Sequence, residues 1–418
     1  MAFTAFATAL SSLSAHATAV DVVGKNLANL NTPGYKSNSV VFRDLVAQSL
    51  GLGETQVGVG VTRPYTVRQF AQGSVQSTGG ALDAAIQGDG FFVLRDAAGS
   101  QLFSRAGNFK TDAAGNLLTL TGERVQGWTA VDGVVNTNTA VSNIVVPVGA
   151  LRAPRATTSF AFSMNLNASG VVGESTGTFS TPMEVVDSLG VPHVLTITAT
   201  KTGANEWDYE VTIPGAEVSG GAPPDPFSLG TGTLSFDSLG KLSAPAVDPG
   251  LVSLAIPGLT SGAADLAIDW HLYSDDGTPT ISQYAQPSAM AAISQDGILP
   301  SQLVKVTLAD GGRLLATYSN GGVVAVGQLA IASVRNPDSL MAVGNNNLQA
   351  TTLTSAAAIG VPQTGGRGKV LGSSVEASTV DIALEFATLI VLQRGYQANA
   401  RVVTTVDDIS QETINMKR

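Results

Sequence analysis

The sequence predicts a mainly β protein with α-helical termini. The first 30 and the last 40 residues carry apolar side chains at alternating spacings of three and four, which is typical of a helix that buries one side. Between Val40 and Ile331, short alternating runs are interrupted by turn residues, which is typical of β-strands. We therefore expect helices at both ends of a β-rich middle.

The N-terminal helix is predicted by a heptad-like seam with no proline before Pro33. The seam consists of Phe3, Phe6, Leu10, Leu13, Ala17, Val20, Gly24 and Leu27. This pattern predicts one continuous helix with a single apolar side.

The C-terminal segment carries a second seam, and no proline follows Pro362. This seam consists of Leu384, Thr388, Val391, Gly395, Ala398, Val402, Thr405 and Ile409. A continuous helix over residues 380–418 would be roughly 55–60 Å long.

The two seams have an ordinary and a more specific interpretation. In the ordinary one, both amphipathic helices pack on a single globular body. In the more specific interpretation, the two ends pack on each other and on neighbouring chains. This interpretation is favoured because the seams are terminal, long and rich in Ala, Gly and Thr. We therefore expect the termini to be an assembly device.

The middle of the chain is marked by recurrent Asp-x-x-Gly turns, in which Asp bonds its own backbone and Gly supplies a positive φ. The turns begin at Asp96, Asp112, Asp187 and Asp237. A strand, a tight turn and a second strand are predicted over residues 84–94. Trp207, Tyr209, Phe236 and Trp270 are available for the core of a self-contained β-domain.

These patterns divide the chain into four expected regions. A terminal helical domain covers 1–35 and 375–418, and an extended connector covers 36–80 and 335–374. A first β-domain covers 81–149 and 283–334, and an outer β-domain covers 150–282.

The composition excludes several classes of function. The 418 residues include no cysteine, which removes thiol catalysis, thiolate metal sites and disulfides. Only 22 Lys and Arg are spread along a chain of net charge −10, which argues against nucleic-acid binding. No apolar run reaches the ~18–20 residues of a membrane span. No Lys or Arg precedes Lys25, so the N-terminus is not expected to be a cleaved secretory signal peptide, and any export would use a route that does not read one.

The residues that could carry chemistry do not form a recognisable site. His16, His193 and His271 are far apart in sequence, and Asp187, Asp275 and Asp276 are interpreted as turn residues. The calcium-loop and phosphate-loop patterns are absent. We therefore predict no catalytic residue, no metal site, no cofactor and no enzymatic activity.

Both ends of the chain carry longer motifs. Asn26-Leu27-Ala28-Asn29-Leu30-Asn31-Thr32-Pro33-Gly34-Tyr35-Lys36 describes a helix that ends before a chain reversal. Ser378-Thr379-Val380-Asp381 precedes Gln393-Arg394-Gly395-Tyr396-Gln397-Ala398-Asn399. These motifs resemble the terminal signatures of the axial proteins of the bacterial flagellum, which form its rod and hook. The matching positions are Asn29, Asn31, Thr32, Gly34, Tyr35, Tyr396, Gln397, Ala398 and Asn399.

Two positions depart from the family pattern. The family usually has Asn at the position of Thr379 and Ala at the position of Gly395. Gly395 costs roughly 1 kcal/mol of helix stability relative to Ala. The flanking residues nevertheless fit the motif.

Motifs in the middle narrow the resemblance to the hook branch of this family. Residues 81–83, 88–93 and 105–109 resemble the first β-domain that hook and distal-rod proteins share, whereas residues 162–167, 187–190 and 318–321 resemble the hook branch specifically. The resemblance implies a nested, multidomain architecture in which the two terminal helices form an inner, coiled-coil-like domain and the β-domains lie outside it. It also implies a structural subunit that polymerises with itself into a curved, flexible tube, which joins rod to filament and transmits torque.

The same resemblance implies partners and a location. The partners are further copies of the chain, the distal rod protein, a hook-capping protein, the hook–filament junction protein and the flagellar type III export apparatus. The implied location is extracellular, in the hook.

Two alternatives stay open at this point. A distal-rod or other axial protein would lack the insertion from Phe162 to Trp270. A secreted β-rich enzyme or adhesin with helical ends is an alternative of another class.

Overall fold

Helices occupy both ends of the computed structural model, which describes residues 2–46, 58–149 and 151–416. Helix α1 covers Ala2–Ala28, and helix α2 covers Ile382–Asn415. The side chain of Asp381 caps α2 by accepting hydrogen bonds from the backbone N–H groups of Ala383 and Leu384. The mainly β fold with helical termini is therefore confirmed. Within the described residues, neither helix combines the length and the apolar character that a membrane crossing requires.

The strands between the helices are short and follow one another closely. In the first third of the chain they are β1 Asn38–Val41, β2 Asp44–Val46, β3 Gly58–Val61, β4 Tyr65–Arg68, β5 Val75–Ser77, β6 Ala84–Gln87, β7 Phe91–Arg95, β8 Gln101–Ser104, β9 Phe109–Thr111, β10 Leu117–Thr119, β11 Arg124–Thr129 and β12 Ser142–Asn143. In the middle they are β13 Leu151–Arg152, β14 Ser159–Asn167, β15 Thr178–Val186, β16 Pro192–Lys201, β17 Glu206–Pro214, β18 Pro226–Phe236, β19 Leu242–Ala244, β20 Leu251–Ile256, β21 Leu266–His271, β22 Ile281–Tyr284 and β23 Ala289–Gln295.

The remaining strands lead to α2. They are β24 Ser301–Leu308, β25 Arg313–Tyr318, β26 Val323–Leu329, β27 Ile331–Ser333, β28 Met341–Gly344, β29 Asn347–Gln349, β30 Ala358–Gly360, β31 Lys369–Gly372 and β32 Ser374–Glu376. Short 3₁₀ helices lie at Ser175–Gly177, Gly215–Glu217 and Pro337–Ser339.

The chain divides into two compact units. Unit 1 comprises Met1–Val148, Val304–Thr317 and Gly322–Arg418, and unit 2 comprises Gly149–Leu303 and Tyr318–Gly321. The sequence analysis ended the outer β-domain at residue 282, whereas unit 2 continues to Leu303. The difference arises because β23 pairs antiparallel with β14 and so belongs to the sheet of unit 2.

In unit 1, the largest sheet has the strand order β24-β25-β26-β11-β7-β8-β29-β28. Strands β6 and β7 follow each other as predicted, but they do not pair with each other. Strand β6 pairs with β31 instead, while β7 pairs with β8, β11 and β27. Between them Gly88 and Gly90 have φ values of 95° and 132°, and a Cβ at Gly90 would meet Ile331 at 2.5 Å. The glycines therefore let the chain change partners within three residues.

Unit 2 contains two sheets around one apolar core. One sheet has the order β20-β21-β14-β22, with β23 on β14, and the other runs in sequence from β15 to β19. The predicted core residues Trp207, Tyr209, Phe236 and Trp270 are all buried in this core. Tyr209 meets Trp270 edge to face, with ring centroids 5.2 Å apart.

The four predicted Asp-x-x-Gly turns are confirmed as hairpin turns. In the turn at Asp187, Oδ1 accepts hydrogen bonds from the N–H groups of Leu189 and Val191 at 2.9 and 2.8 Å. Asp237 makes the same pair of bonds to Leu239 and Lys241. The glycines that close these turns, namely Gly99, Gly115, Gly190 and Gly240, all have positive φ.

Candidate assembly site

Helices α1 and α2 pack against each other through small and medium-sized residues. Ala19 and Val23 of α1 and Leu392 of α2 form a buried cluster, against which Leu389, Val20 and Leu27 also pack. The helices run antiparallel, because Asn26 bonds Glu385 while His16 lies beside Gly395, further along α2. Small residues on α1 allow this close approach of the two backbones.

The predicted apolar seams are largely not part of this contact. On α1, Phe6 is 40% and Leu10 is 55% exposed; on α2, Leu384 is 65% and Val391 is 68% exposed. Val402, Ile409, Ala17 and Ala398 are also exposed, and Leu13, Val20 and Leu27 are half-buried. Phe3 lies within α1, but its side chain falls outside the described residues. Val20 and Leu27 of the α1 seam join the contact within the chain, whereas the large seam residues Leu10, Leu384 and Val391 face solvent.

Asn26, the first residue of the N-terminal motif, joins three segments of unit 1. Its Nδ2 donates hydrogen bonds to Oε1 of Glu385 at 2.7 Å and to the carbonyl of Asn38 at 2.8 Å. Its Oδ1 accepts from the backbone N–H of Asn38 at 3.0 Å and from the hydroxyl of Tyr35 at 3.3 Å. The sequence analysis quoted Asn26 within the motif without giving it a role, since these partners become visible only in the fold.

Most of the other residues of the N-terminal motif lie in the turn that follows α1. Thr32 donates to Oδ1 of Asn29 at 3.1 Å, which closes the turn locally, whereas Asn31 is exposed. Gly34 has φ 68°, and a Cβ there would lie 2.4 Å from the carbonyl carbon of Arg105. Only glycine allows this approach. Burial raises the pKa of the Tyr35 phenol, while a hydrogen bond from Asn38 opposes that shift.

A buried ion cluster lies directly behind this turn, and sequence reasoning missed it. The carboxylate of the fully buried Glu376 lies 2.6 Å from Lys36 Nζ and 3.2 Å from Arg105 Nη1. The Gly73 N–H also donates to Glu376, at 2.7 Å. Burial lowers the pKa values of Lys36 and Arg105, and the contacts with Glu376 oppose that shift. The position of Lys36 in the motif was the available signal, but its partner lies 340 residues away.

The C-terminal motif lies at the contact between the helices. Tyr396 and Gln397 line a small cavity with Ala17, Val20 and Asp21 of α1. Asn399 donates from Nδ2 to the carbonyl of Gly395 at 2.9 Å, within its own helix. The structure therefore brings Tyr396 and Gln397 next to seam residues of α1.

The histidines have different surroundings: His16 lies beside Gly395 of α2, and His271 is exposed at the end of β21. Within the described residues, no group of three or more His, Asp or Glu side chains could hold a metal ion. His193 lies between carboxylates in unit 2, with Nδ1 2.6 Å from Glu217 and Nε2 3.2 Å from Asp187. Ser261 donates to Asp187 at 2.7 Å, not to the histidine, so these residues are not arranged as a nucleophile and its base.

Four family models match successive parts of the chain. "Flagella basal body rod protein" matches residues 6–36, and "Flagellar hook protein FlgE/F/G D1 domain" matches residues 85–178. "Flagellar basal body protein FlaE D2 domain" matches residues 165–298, and "Flagellar basal body rod FlgEFG protein C-terminal" matches residues 372–416. The helical termini and the matched β regions together define the class of rod and hook proteins of the flagellum.

Full-length relatives narrow the class. The chain is 31% identical to the flagellar hook protein FlgE of Escherichia coli (strain K12), covering 99% of this chain and 100% of the relative. It is 30% identical to FlgE of Borreliella burgdorferi (strain ATCC 35210 / DSM 4680 / CIP 102532 / B31), covering 98% of each. The chain belongs to the flagellar hook protein FlgE family, and it is a structural protein of the bacterial flagellar hook.

The fold agrees with this membership. The crystal structure of Helicobacter pylori flagellar hook protein FlgE2 matches with a TM-score of 0.54 at 15% identity, covering 71% of this chain and 99% of that one. The D2 match covers most of the insertion whose absence would mark a distal-rod protein.

Proposed function

We propose that this chain polymerises with itself into the curved tube of the hook, and that the exposed seams of α1 and α2 form contacts between copies. One observation carries the proposal: Leu10, Leu384 and Val391 are each more than half exposed on helices that already pack together through other residues. Burying such a side chain contributes about 1.5–3 kcal/mol. A helical polymer repeats that gain at every subunit.

The proposal includes the finer roles that the family resemblance implies. The tube joins rod to filament and transmits torque, with the terminal helices inside and the β-domains outside. The distal rod protein and the hook–filament junction protein contact its ends, and a hook-capping protein contacts it transiently during growth. The chain reaches its extracellular location through the flagellar type III export apparatus without a cleaved signal peptide. These roles involve no enzymatic activity.

The test is assembly of purified full-length protein carrying a charge in the seam. Leu10→Asp and Leu384→Asp are expected to abolish tubes in electron micrographs, because an unpaired carboxylate buried between copies costs several kcal/mol. Both positions are exposed in the single chain, so the circular dichroism and thermal unfolding of the monomer should be unchanged.

Ser14→Asp is the matched control, since Ser14 is exposed on α1 outside the predicted seam. It adds the same charge and should leave assembly intact. Tube formation by both seam variants at the wild-type critical concentration would show that these faces do not join the copies.

A further inference from the structure

A cavity of about 470 Å³ opens in unit 1 beside the turn that follows α1. Its lining includes Thr32, Pro33 and Tyr35 of that turn together with Arg68. The lining also includes Leu120, which is 65% exposed. The lining thus combines apolar side chains with a cation.

Arg68 has no acidic partner in the part of the chain that the structure describes. Its side chain is half-buried, and its guanidinium makes no hydrogen bond or ion pair with any described residue. Burial lowers its pKa, and the nearby Tyr35 opposes that shift. This differs from Lys36 and Arg105, which share the carboxylate of Glu376 in the same unit. A half-buried guanidinium without a counter-ion is costly unless a ligand supplies one.

Most of the other polar side chains in the lining already have hydrogen-bond partners, and those that have none indicate the kind of ligand that would fit. Thr119 and Thr121 donate hydrogen bonds to the carboxylate of Glu123, and Asn347 donates to the same carboxylate at 2.8 Å. These three lining residues therefore already have a hydrogen-bond acceptor. Asn346 donates to the carbonyl of Pro33 at 3.1 Å. The side-chain amide of Asn108, by contrast, makes no hydrogen bond within the described residues and lines the cavity together with Arg68. A planar cation and a free amide donor suit a carboxylate.

We propose that this cavity binds an acidic side chain of a second copy of this chain, with its carboxylate on Arg68 and Asn108 and its stem against the apolar side chains of the lining. The inference rests on the proposed self-assembly. Charge complementarity favours a second copy, because the chain carries 32 Asp and Glu against 22 Lys and Arg. Arginine in a pocket that a partner closes is a common centre of binding energy in interfaces.

The first experiment compares the critical concentration for assembly of full-length variants. Arg68→Gln is expected to raise it at least tenfold, equivalent to about 1.4 kcal/mol per contact. Arg63→Gln is the matched control, because Arg63 is exposed close by in sequence, and it should leave assembly unchanged. If Arg68→Gln alters monomer unfolding, Asn108→Asp replaces it, since an aspartate in the cavity would occupy Arg68 and block the site.

The second experiment identifies the occupant. Arg68→Lys places an amine in the cavity, and a water-soluble carbodiimide joins that amine to an adjacent carboxylate as an amide with loss of water. In tubes assembled from ¹⁴N- and ¹⁵N-labelled protein, mass spectrometry should find a mixed-isotope link from residue 68 to an Asp or Glu peptide. Arg63→Lys should give no such link.

The possible outcomes separate this inference from the proposed function. If the wild-type chain does not assemble, self-assembly itself is wrong, and this inference falls with it. If the wild type assembles and Arg68→Gln assembles equally well, only the role of the cavity is overturned. Links confined to one isotope would show an acid of the same copy and would overturn the proposed partner. Binding of free glutamate by the monomer, without any effect of Arg68→Gln on assembly, would show a small-anion site and would overturn it as well.

Discussion

The imidazole of His16 on α1 occupies the space in which a side chain at Gly395 on α2 would begin. A Cβ built on Gly395 would lie 2.6 Å from Cε1 and 2.9 Å from Nε2 of His16. His16 also packs against the ring of Phe42, with centroids 5.3 Å apart. The glycine that departs from the usual alanine of the family is therefore explained by the histidine that packs against it.

This contact predicts the effect of Gly395→Ala. Alanine would add roughly 1 kcal/mol of helix propensity, but its methyl group would push His16 out of the contact. We expect a net loss of stability in the α1–α2 pair, seen as faster amide hydrogen exchange in α2. The double variant His16→Ala/Gly395→Ala should recover the propensity gain and exchange more slowly than Gly395→Ala alone.

Gly24→Ala is the matched control for this prediction. A Cβ at Gly24, also in a helix, would meet nothing within 4 Å, so alanine should stabilise α1 by roughly 1 kcal/mol. If Gly395→Ala slows exchange in the same way, the close contact with His16 carries no energetic weight.

The buried ion cluster predicts a large effect of Glu376→Gln. The substitution leaves Lys36 and Arg105 buried without a counter-charge, and breaking such a pair typically costs about 3–5 kcal/mol. We expect the unfolding transition of unit 1 to move to clearly lower denaturant concentration, while unit 2 keeps its own transition.

Lys369→Gln provides the comparison for the ion cluster. Lys369 pairs with Asp310 at 3.6 Å in an exposed position of the same unit, and such pairs contribute about 0–1 kcal/mol. Equal effects of the two substitutions would mean that water reaches Glu376 freely.

The two chain segments that lead into and out of unit 2 pair with each other, which allows most of the unit to be replaced by a short loop. Arg155 and Ile298 exchange two backbone hydrogen bonds, at 2.9 and 2.8 Å, so the chain enters and leaves side by side. Residues 156–297 can therefore be replaced by Gly-Ser-Gly-Ser, which has the length of a hairpin loop. We expect the shortened protein to polymerise into tubes that are straight or differently supercoiled in electron micrographs, because the proposed outer contacts are lost.

Insertion of the same four residues after Asp276, in an exposed turn of unit 2, serves as the control and should preserve native curvature. A shortened protein whose unit 1 is folded but forms no tubes would refute the outer position proposed for residues 150–282. Tubes of unchanged curvature would show that unit 2 does not set it.

The sequence predicted those features whose cause is local. The Asp187 and Asp237 turns were predictable because each carboxylate accepts the N–H groups of its own turn. The helices were predictable from their periodicity, although α2 begins at Ile382, where the side chain of Asp381 caps it. The pairing of β6 with β31 was not predictable, because residues 84–87 meet residues 369–372 only through the fold.

Neighbouring residues were enough to predict the terminal helices, the β-rich middle, the four Asp-x-x-Gly turns and the family motifs. The tertiary structure decided which face of each helix is used within the chain. Ala19 and Val23 pack against Leu392, whereas Leu10 and Leu384, on other faces of the same helices, remain exposed. It also decided that Glu376 pairs with both Lys36 and Arg105, whereas Arg68 has no carboxylate partner in the described residues. The physical reason is that burial and charge pairing depend on distances between residues hundreds of positions apart, and only the folded chain fixes those distances.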